Sequence, residues 1–258
     1  MKKNLLFVCC LLVGLVACSM KSKSPVSVWE NYDVGKIVFE DKAGGTQGSE
    51  IYHNIIADPE SYIAEQARTV LATLYRSPAD SVMTVKQIYY TLEDVEGISA
   101  KGGDRNGVHI FYSSRHVEKS FEGADTAKVL FETRGVLLHE LTHAYQREPQ
   151  GIGTYGTNRV FWAFIEGMAD AVRVANGGFG PDARPKGGNY MDGYRTAGYF
   201  FVWLRDNKDP EFLHKFNNST LEVIPWSFNG AIKHILGEEY DIDSLWREYQ
   251  IAVGDIQV

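Results

Sequence analysis

The segment His139-Glu140-Leu141-Thr142-His143 places two imidazoles and a carboxylate where a helix would present them to a single ion. Residues four apart share a helical face, so His139 and His143 can both direct a ring nitrogen at one metal. Glu140 lies beside that pair without competing for the ion, where its carboxylate can take a proton from an attacking water. Further along come Glu166-Gly167-Met168-Ala169-Asp170. A zinc centre that performs chemistry takes three protein ligands and keeps a fourth position open, and Glu166 supplies the third. Asp170, one turn later, is spaced to orient a ligand histidine from behind. A solvated helix face would account for the five-residue motif alone. It would not account for a Glu-x-x-x-Asp pair set among apolar residues, because buried carboxylates without partners are costly.

These residues need carriers that bring them together. From Lys128 to Gln146 the apolar positions Val129, Leu130, Val136, Leu137, Leu138, Leu141, Ala144 and Tyr145 follow helical spacing. Pro149 and the glycines at 151, 153 and 156 stop that helix and reverse the chain. Thr157 or Asn158 is suited to cap a second helix, with Phe161, Phe164, Ile165, Met168, Ala169 and Val172 as its buried stripe. Two roughly antiparallel helices joined by a glycine-rich loop would carry Glu166 over the histidine pair.

The segments His139–Gln146 (His-Glu-Leu-Thr-His-Ala-Tyr-Gln) and Phe164–Arg173 (Phe-Ile-Glu-Gly-Met-Ala-Asp-Ala-Val-Arg) resemble the plant basic secretory protein family of peptidases. That family shows His-Glu-Met-Thr-His and Ile-Glu-Gly-Ile-Ala-Asp-Tyr-Val-Arg at similar spacing. The likeness continues through Val95–Ile98, Asn106–Ile110, Gly193–Ala197 and Leu245–Tyr249, and so covers about Val34 to Tyr249. The resemblance implies a zincin-like fold, with His139, His143 and Glu166 as zinc ligands and Glu140 as general base. Some zincins use an aspartate as third ligand, which keeps Asp170 open as the alternative to Glu166. Arg195 stands where the family has an acidic residue after Gly-Tyr. This chain is also acidic, with formal charge −7, whereas the plant proteins are basic.

A peptidase must stabilise the oxyanion that forms as water attacks the carbonyl. Tyr194, in the downstream segment of the resemblance, is the first candidate, and Tyr155 in the glycine-rich connector is the second. Arg173 could pair with Asp170 or Glu166, although an ordinary helix ion pair is the default. His53, His109, His116, His214 and His234 lack ligand spacing and read as structural. Only His109, on a strand facing the cleft, could line it.

The remaining chain reads as an α+β domain. Lys36–Glu40 is a short strand ended by a turn at Gly44-Gly45, and 61–75 is a helix ended near Pro78. Val85–Leu92 is a strand, 100–105 a glycine-containing excursion, and Val108–Ser113 a further strand. In zincins the strand nearest the metal helix is an edge that pairs with extended substrate; Val108–Ser113 is the candidate for that role, with a plain sheet strand that makes no substrate contact as the alternative. Loop follows from 176 to 189, then a buried aromatic helix over Arg195–Asp206 and short helices over 210–217, 229–237 and 242–253. The expected architecture is a single zincin-like domain: a small mixed sheet, the metal-binding helices, then a helical C-terminal half.

The N-terminus indicates address. Lys2 and Lys3 precede an apolar run from Leu5 to Val16, too short to span a bilayer. It ends Leu15-Val16-Ala17-Cys18, which looks like a bacterial lipoprotein signal (1–17) cut before a cysteine that is then lipidated. Residues 18–33 would form a flexible tether, with the domain spanning 34–258. The only cysteines are Cys9, Cys10 and Cys18, so the domain has no thiol for a disulfide, a nucleophile or a zinc knuckle. The excess of acidic over basic residues argues against a nucleic-acid partner.

The sequence therefore leads to a zinc-dependent peptidase acting on peptide or protein substrates, monomeric and lipid-anchored in the cell envelope. Two alternatives belong to other classes: a non-catalytic lipoprotein that binds peptides or glycans, and a zinc hydrolase of another amide, such as one in peptidoglycan.

Overall fold

Alternating apolar side chains build the sheet. In Gln87–Glu93 (β2) the residues Ile88, Tyr90 and Leu92 are buried, and in Gly107–Ser113 (β4) Val108, Ile110 and Tyr112 are. This period of two turns one face onto the helices. Lys36–Asp41 (β1) pairs parallel with β2, and β2 pairs parallel with β4. Ser99–Asp104 (β3) then folds back antiparallel along β4. The computed structural model describes residues 25–257, so the expected signal, Cys18 and most of the expected tether lie outside the described residues.

The strand order is β1-β2-β4-β3, which corrects one expectation. Val108–Ser113 lies inside the sheet, and the edge is β3, the stretch read as a glycine-containing excursion. Its closing turn explains the misreading. Asp104 Oδ1 accepts the N–H groups of Asn106 and Gly107 at 2.8 and 3.3 Å, tightening a hairpin in a segment with few strand-forming residues.

The helices before the site are Gln47–Ile55 (α1), Pro59–Leu74 (α2) and Ser114–Ser120 (α3). Thr46 caps α1 by accepting from Ser49 N–H, and Asp58 caps α2 in the same way with Pro59 as its first residue. Neither α1 nor α3 was expected. Both are short, and their starts are set by caps at Thr46 and Ser113 more than by an apolar stripe. Thr126–Tyr145 (α4) packs on α2 and β3. Arg159–Ala175 (α5) packs on α4 and, most extensively, on Tyr194–Asn207 (α6). Phe212–Glu222 (α7), Phe228–Leu236 (α8) and Ile242–Ala252 (α9) complete the helical C-terminal half.

The result is an α+β domain with one continuous core, as expected. Packing begins before Val34: Trp29, in a short 3-10 helix, is fully buried, with Tyr32 edge-on at 5.0 Å. Among the described residues, no helix is long and apolar enough to cross a membrane.

Candidate metal centre

Asp125 caps α4 at Lys128 N–H, and the helix runs unbroken through His139, Glu140 and His143 to Gln146. The chain then reverses through Gly151 and Gly153, both at positive φ, where an L side chain would be strained. Asn158 accepts from the N–H groups of Val160 and Phe161 and starts α5. These two terminations bring Glu166 against the histidines.

The three polar ends form a small triangle. His139 Nε2 and His143 Nε2 are 3.1 Å apart, and Glu166 Oε2 lies 3.3 and 3.6 Å from them. Ligand atoms about 2.0–2.1 Å from a tetrahedral ion would stand about 3.3 Å from one another, so the triangle has the size of a zinc site. The chemistry of the set agrees, with two imidazole nitrogens and one carboxylate oxygen. Glu166 Oε2 is buried with no hydrogen-bond partner, an arrangement that a cation at the triangle's centre would satisfy.

Each ligand candidate is held from behind. Asp170 Oδ1 lies 2.7 Å from His139 Nδ1; a proton on that nitrogen leaves Nε2 with its lone pair toward the triangle. Tyr155 donates its hydroxyl to Glu166 Oε1 at 2.6 Å. The Gln146 amide lies 2.8 Å from His143 Nδ1 and also donates to the Ile165 carbonyl. Asp170 thus sits beside His139 and outside the triangle, in the orienting position read for it.

Electrostatics tie the group together. Burial opposes a charge on His139, but the Asp170 and Glu166 carboxylates prevail and hold the imidazole up to about 10. Burial likewise pushes the Glu166 carboxyl up, and the neighbouring His139 and His143 imidazoles drive it well below the usual carboxylate range. Without a metal, the site therefore retains a proton among these residues, which a cation would displace.

A cavity of about 540 Å³ opens over the triangle. Glu140 is buried beside it and lines the cavity without accepting a bond from any described residue. Ile98, together with Ser99, Ala100 and Lys101 of the β3 edge, also lines it.

This geometry coincides with a match over most of the chain. Residues 35–249 fit the model of a family described as peptidase of plants and bacteria, BSP. The chain belongs to that family. Its BSP membership agrees with the resemblance read from the two metal segments. Among curated proteins and among solved structures the chain finds no significant match.

Tyr194 and Tyr155, the two oxyanion candidates in this BSP chain, both line the cavity and are each 46% exposed. Tyr194 stacks nearly parallel to His139, with centroids 6.0 Å apart, and meets Trp162 edge-on at 5.4 Å. Its φ of +40° is unfavourable for a non-glycine residue, and such conformations cluster at functional sites. Gly193 allows the approach, since a Cβ there would come within 2.8 Å of Trp162.

Arg173 pairs with neither Asp170 nor Glu166. It bonds Glu132 of α4 at 3.2 Å, donates to the Gly178 carbonyl and stacks on Phe179. His109 stacks on Tyr89 at 4.7 Å and does not line the cavity. His53, His116, His214 and His234 contact Asp41, Glu132, the Ala72 carbonyl and Glu222, all outside the site. Two functional neighbours escaped the sequence reading. Gln146 is three residues after His143 on the same helix, a spacing that could have revealed it. The β3 wall carried no comparable signal.

Proposed function

We propose that this protein is a zinc-dependent peptidase acting outside the cytoplasm. The observation that carries the proposal is the triangle of His139, His143 and Glu166, with Glu140 beside it in an open cavity, in a chain of a peptidase family. Zinc, when bound, supplies a Lewis acid that polarises the scissile carbonyl and makes water more acidic.

The chain's own residues do the rest. Glu140 takes a proton from the attacking water and passes it to the leaving amine nitrogen. Tyr194 is the better oxyanion donor of the two tyrosines, because the Tyr155 hydroxyl is already engaged by Glu166. Asp170 fixes the ring of His139, and Tyr155 fixes the carboxylate of Glu166.

Substrate would lie along β3. Ser113 N–H donates to the Ile98 carbonyl, and the register then alternates, so Ala100 and Gly102 bond β4. The backbone groups of Ser99 and Lys101 consequently point away from β4 at the free edge, in the stretch that lines the cavity, where an extended peptide can pair with them. The edge strand thus inherits the role first assigned to Val108–Ser113.

We further propose export and anchoring through a lipidated Cys18. Cys18→Ala should move the protein from the membrane fraction to the soluble fraction. The peptidase reading is tested by zinc content and by cleavage of a peptide library, with Glu140→Gln as the arrested comparison.

A further inference from the structure

In the antiparallel pair, Lys101 is directly opposite Ile110, as Ser99 is opposite Tyr112 and Gly103 opposite Val108. Opposed residues share a face. Ile110, Tyr112 and Val108 are buried against the helices, so Lys101 projects from the core-facing side of the sheet. At the free edge that direction leads into the cleft, and Lys101 lines the cavity together with Glu140.

A lysine there is out of keeping with its face, where apolar residues predominate. Its ammonium has one hydrogen bond, to the carbonyl of Gly103 at 3.2 Å, and no carboxylate of the described residues within ion-pair distance. Loss of solvent depresses its pKa, and the partial compensation comes first from Glu148, an exposed residue of the cavity lining. Arg173, the other cation of the lining, is committed to Glu132 and Phe179. Lys101 is therefore the cation of the cleft that is free to meet an incoming anion.

We infer that Lys101 forms a carboxylate subsite, selecting peptides with an acidic side chain or a free C-terminus at the position facing it. The inference rests on the peptidase reading, because it presumes a peptide along β3. A charge-assisted contact of this kind should favour the acidic ligand about ten-fold.

The test measures binding, by fluorescence anisotropy, to the zinc-loaded Glu140→Gln protein, which keeps ligand intact. The probes are labelled alanine-based octapeptides in which one Glu or one Gln is moved through each position, each made with a free and an amidated C-terminus. At one position Glu should bind about ten-fold more tightly than Gln, or the free terminus more tightly than the amide; the two arms identify the source of the carboxylate. Adding Lys101→Met should remove that preference and leave the affinity for the neutral peptide in place, and Lys101→Arg should retain it. Binding with no carboxylate preference, or with a preference that survives Lys101→Met, overturns the subsite while leaving the peptidase reading intact. If no peptide binds although zinc does, both fall.

Discussion

The phenol of Tyr155 donates to Oε1 of Glu166 at 2.6 Å, so only Oε2 of that carboxylate is left facing the two histidines. A carboxylate can offer a metal one oxygen or two. Here a residue on the glycine-rich connector occupies one of them, and the candidate third ligand is thereby set to present the other.

Tyr155→Phe releases Oε1. Second-contact partners of metal ligands typically matter by about ten- to a hundred-fold in affinity. Chelator competition should show a loss in that range, with unchanged far-ultraviolet circular dichroism. Undiminished zinc affinity would remove Tyr155 from the positioning role.

Glu166 and Asp170 are separated by function although they are one turn apart. Glu166→Ala should abolish zinc retention through gel filtration, whereas Asp170→Asn should only weaken it. Tight zinc binding by Glu166→Ala would transfer the third-ligand role away from this residue.

Tyr194→Phe addresses the oxyanion. Removing one such donor commonly lowers kcat by about 10²–10³. The expected variant retains zinc and KM and loses kcat in that range. A loss confined to KM would make Tyr194 a binding residue only.

The metal segments were legible because helical periodicity is strict: the four-residue spacing fixes which side chains share a face before any packing is known. That spacing puts His139 with His143 on one helix face and Glu166 with Asp170 on another, while the packing of α5 on α4 brings the two faces together. The edge strand was not legible. Ser-Ala-Lys-Gly-Gly-Asp has almost no apolar alternation, and β3 exists because Asp104 closes the hairpin and β4 provides the pairing partner. Tertiary context decided that element, and with it one wall of the cavity and the position of Lys101. The link between Tyr155 and Glu166 depended on the loop's path, which glycine content does not specify.

Gly198 tests how closely α6 must approach the site helix. A Cβ there would stand 2.8 Å from the Asp170 carbonyl carbon and 2.9 Å from Ala171 N, both backbone atoms that cannot move aside alone. Gly198→Ala should cost about 1–3 kcal/mol by overpacking and weaken zinc binding through displacement of Asp170. A melting curve like that of the wild type would show that α6 has slack.

The Arg184–Asp255 pair gives a pH dependence. Asp255 accepts from two Arg184 nitrogens at 2.8 Å and from Gly187 N–H at 3.0 Å. The Arg184 bonds lower its pKa, with partial burial opposing. A carboxyl whose pKa is lower in the fold stabilises above its unfolded value of about 3.9, and that contribution is lost as the pH falls through the folded value. The melting-temperature gap between wild type and Asp255→Asn should therefore be full near neutrality and shrink below about pH 4. A gap that widens on acidification would contradict the assignment.

The most direct measurement is cleavage of a mixed peptide library by the zinc-loaded protein beside its Glu140→Gln variant, with the zinc content of both determined. The account predicts one zinc in each, cuts made by the wild type, and none by the variant. Equal cutting by both would contradict Glu140 as the base. An absence of cutting by both, with zinc held, would contradict the peptidase itself and leave a metal site serving binding or another amide.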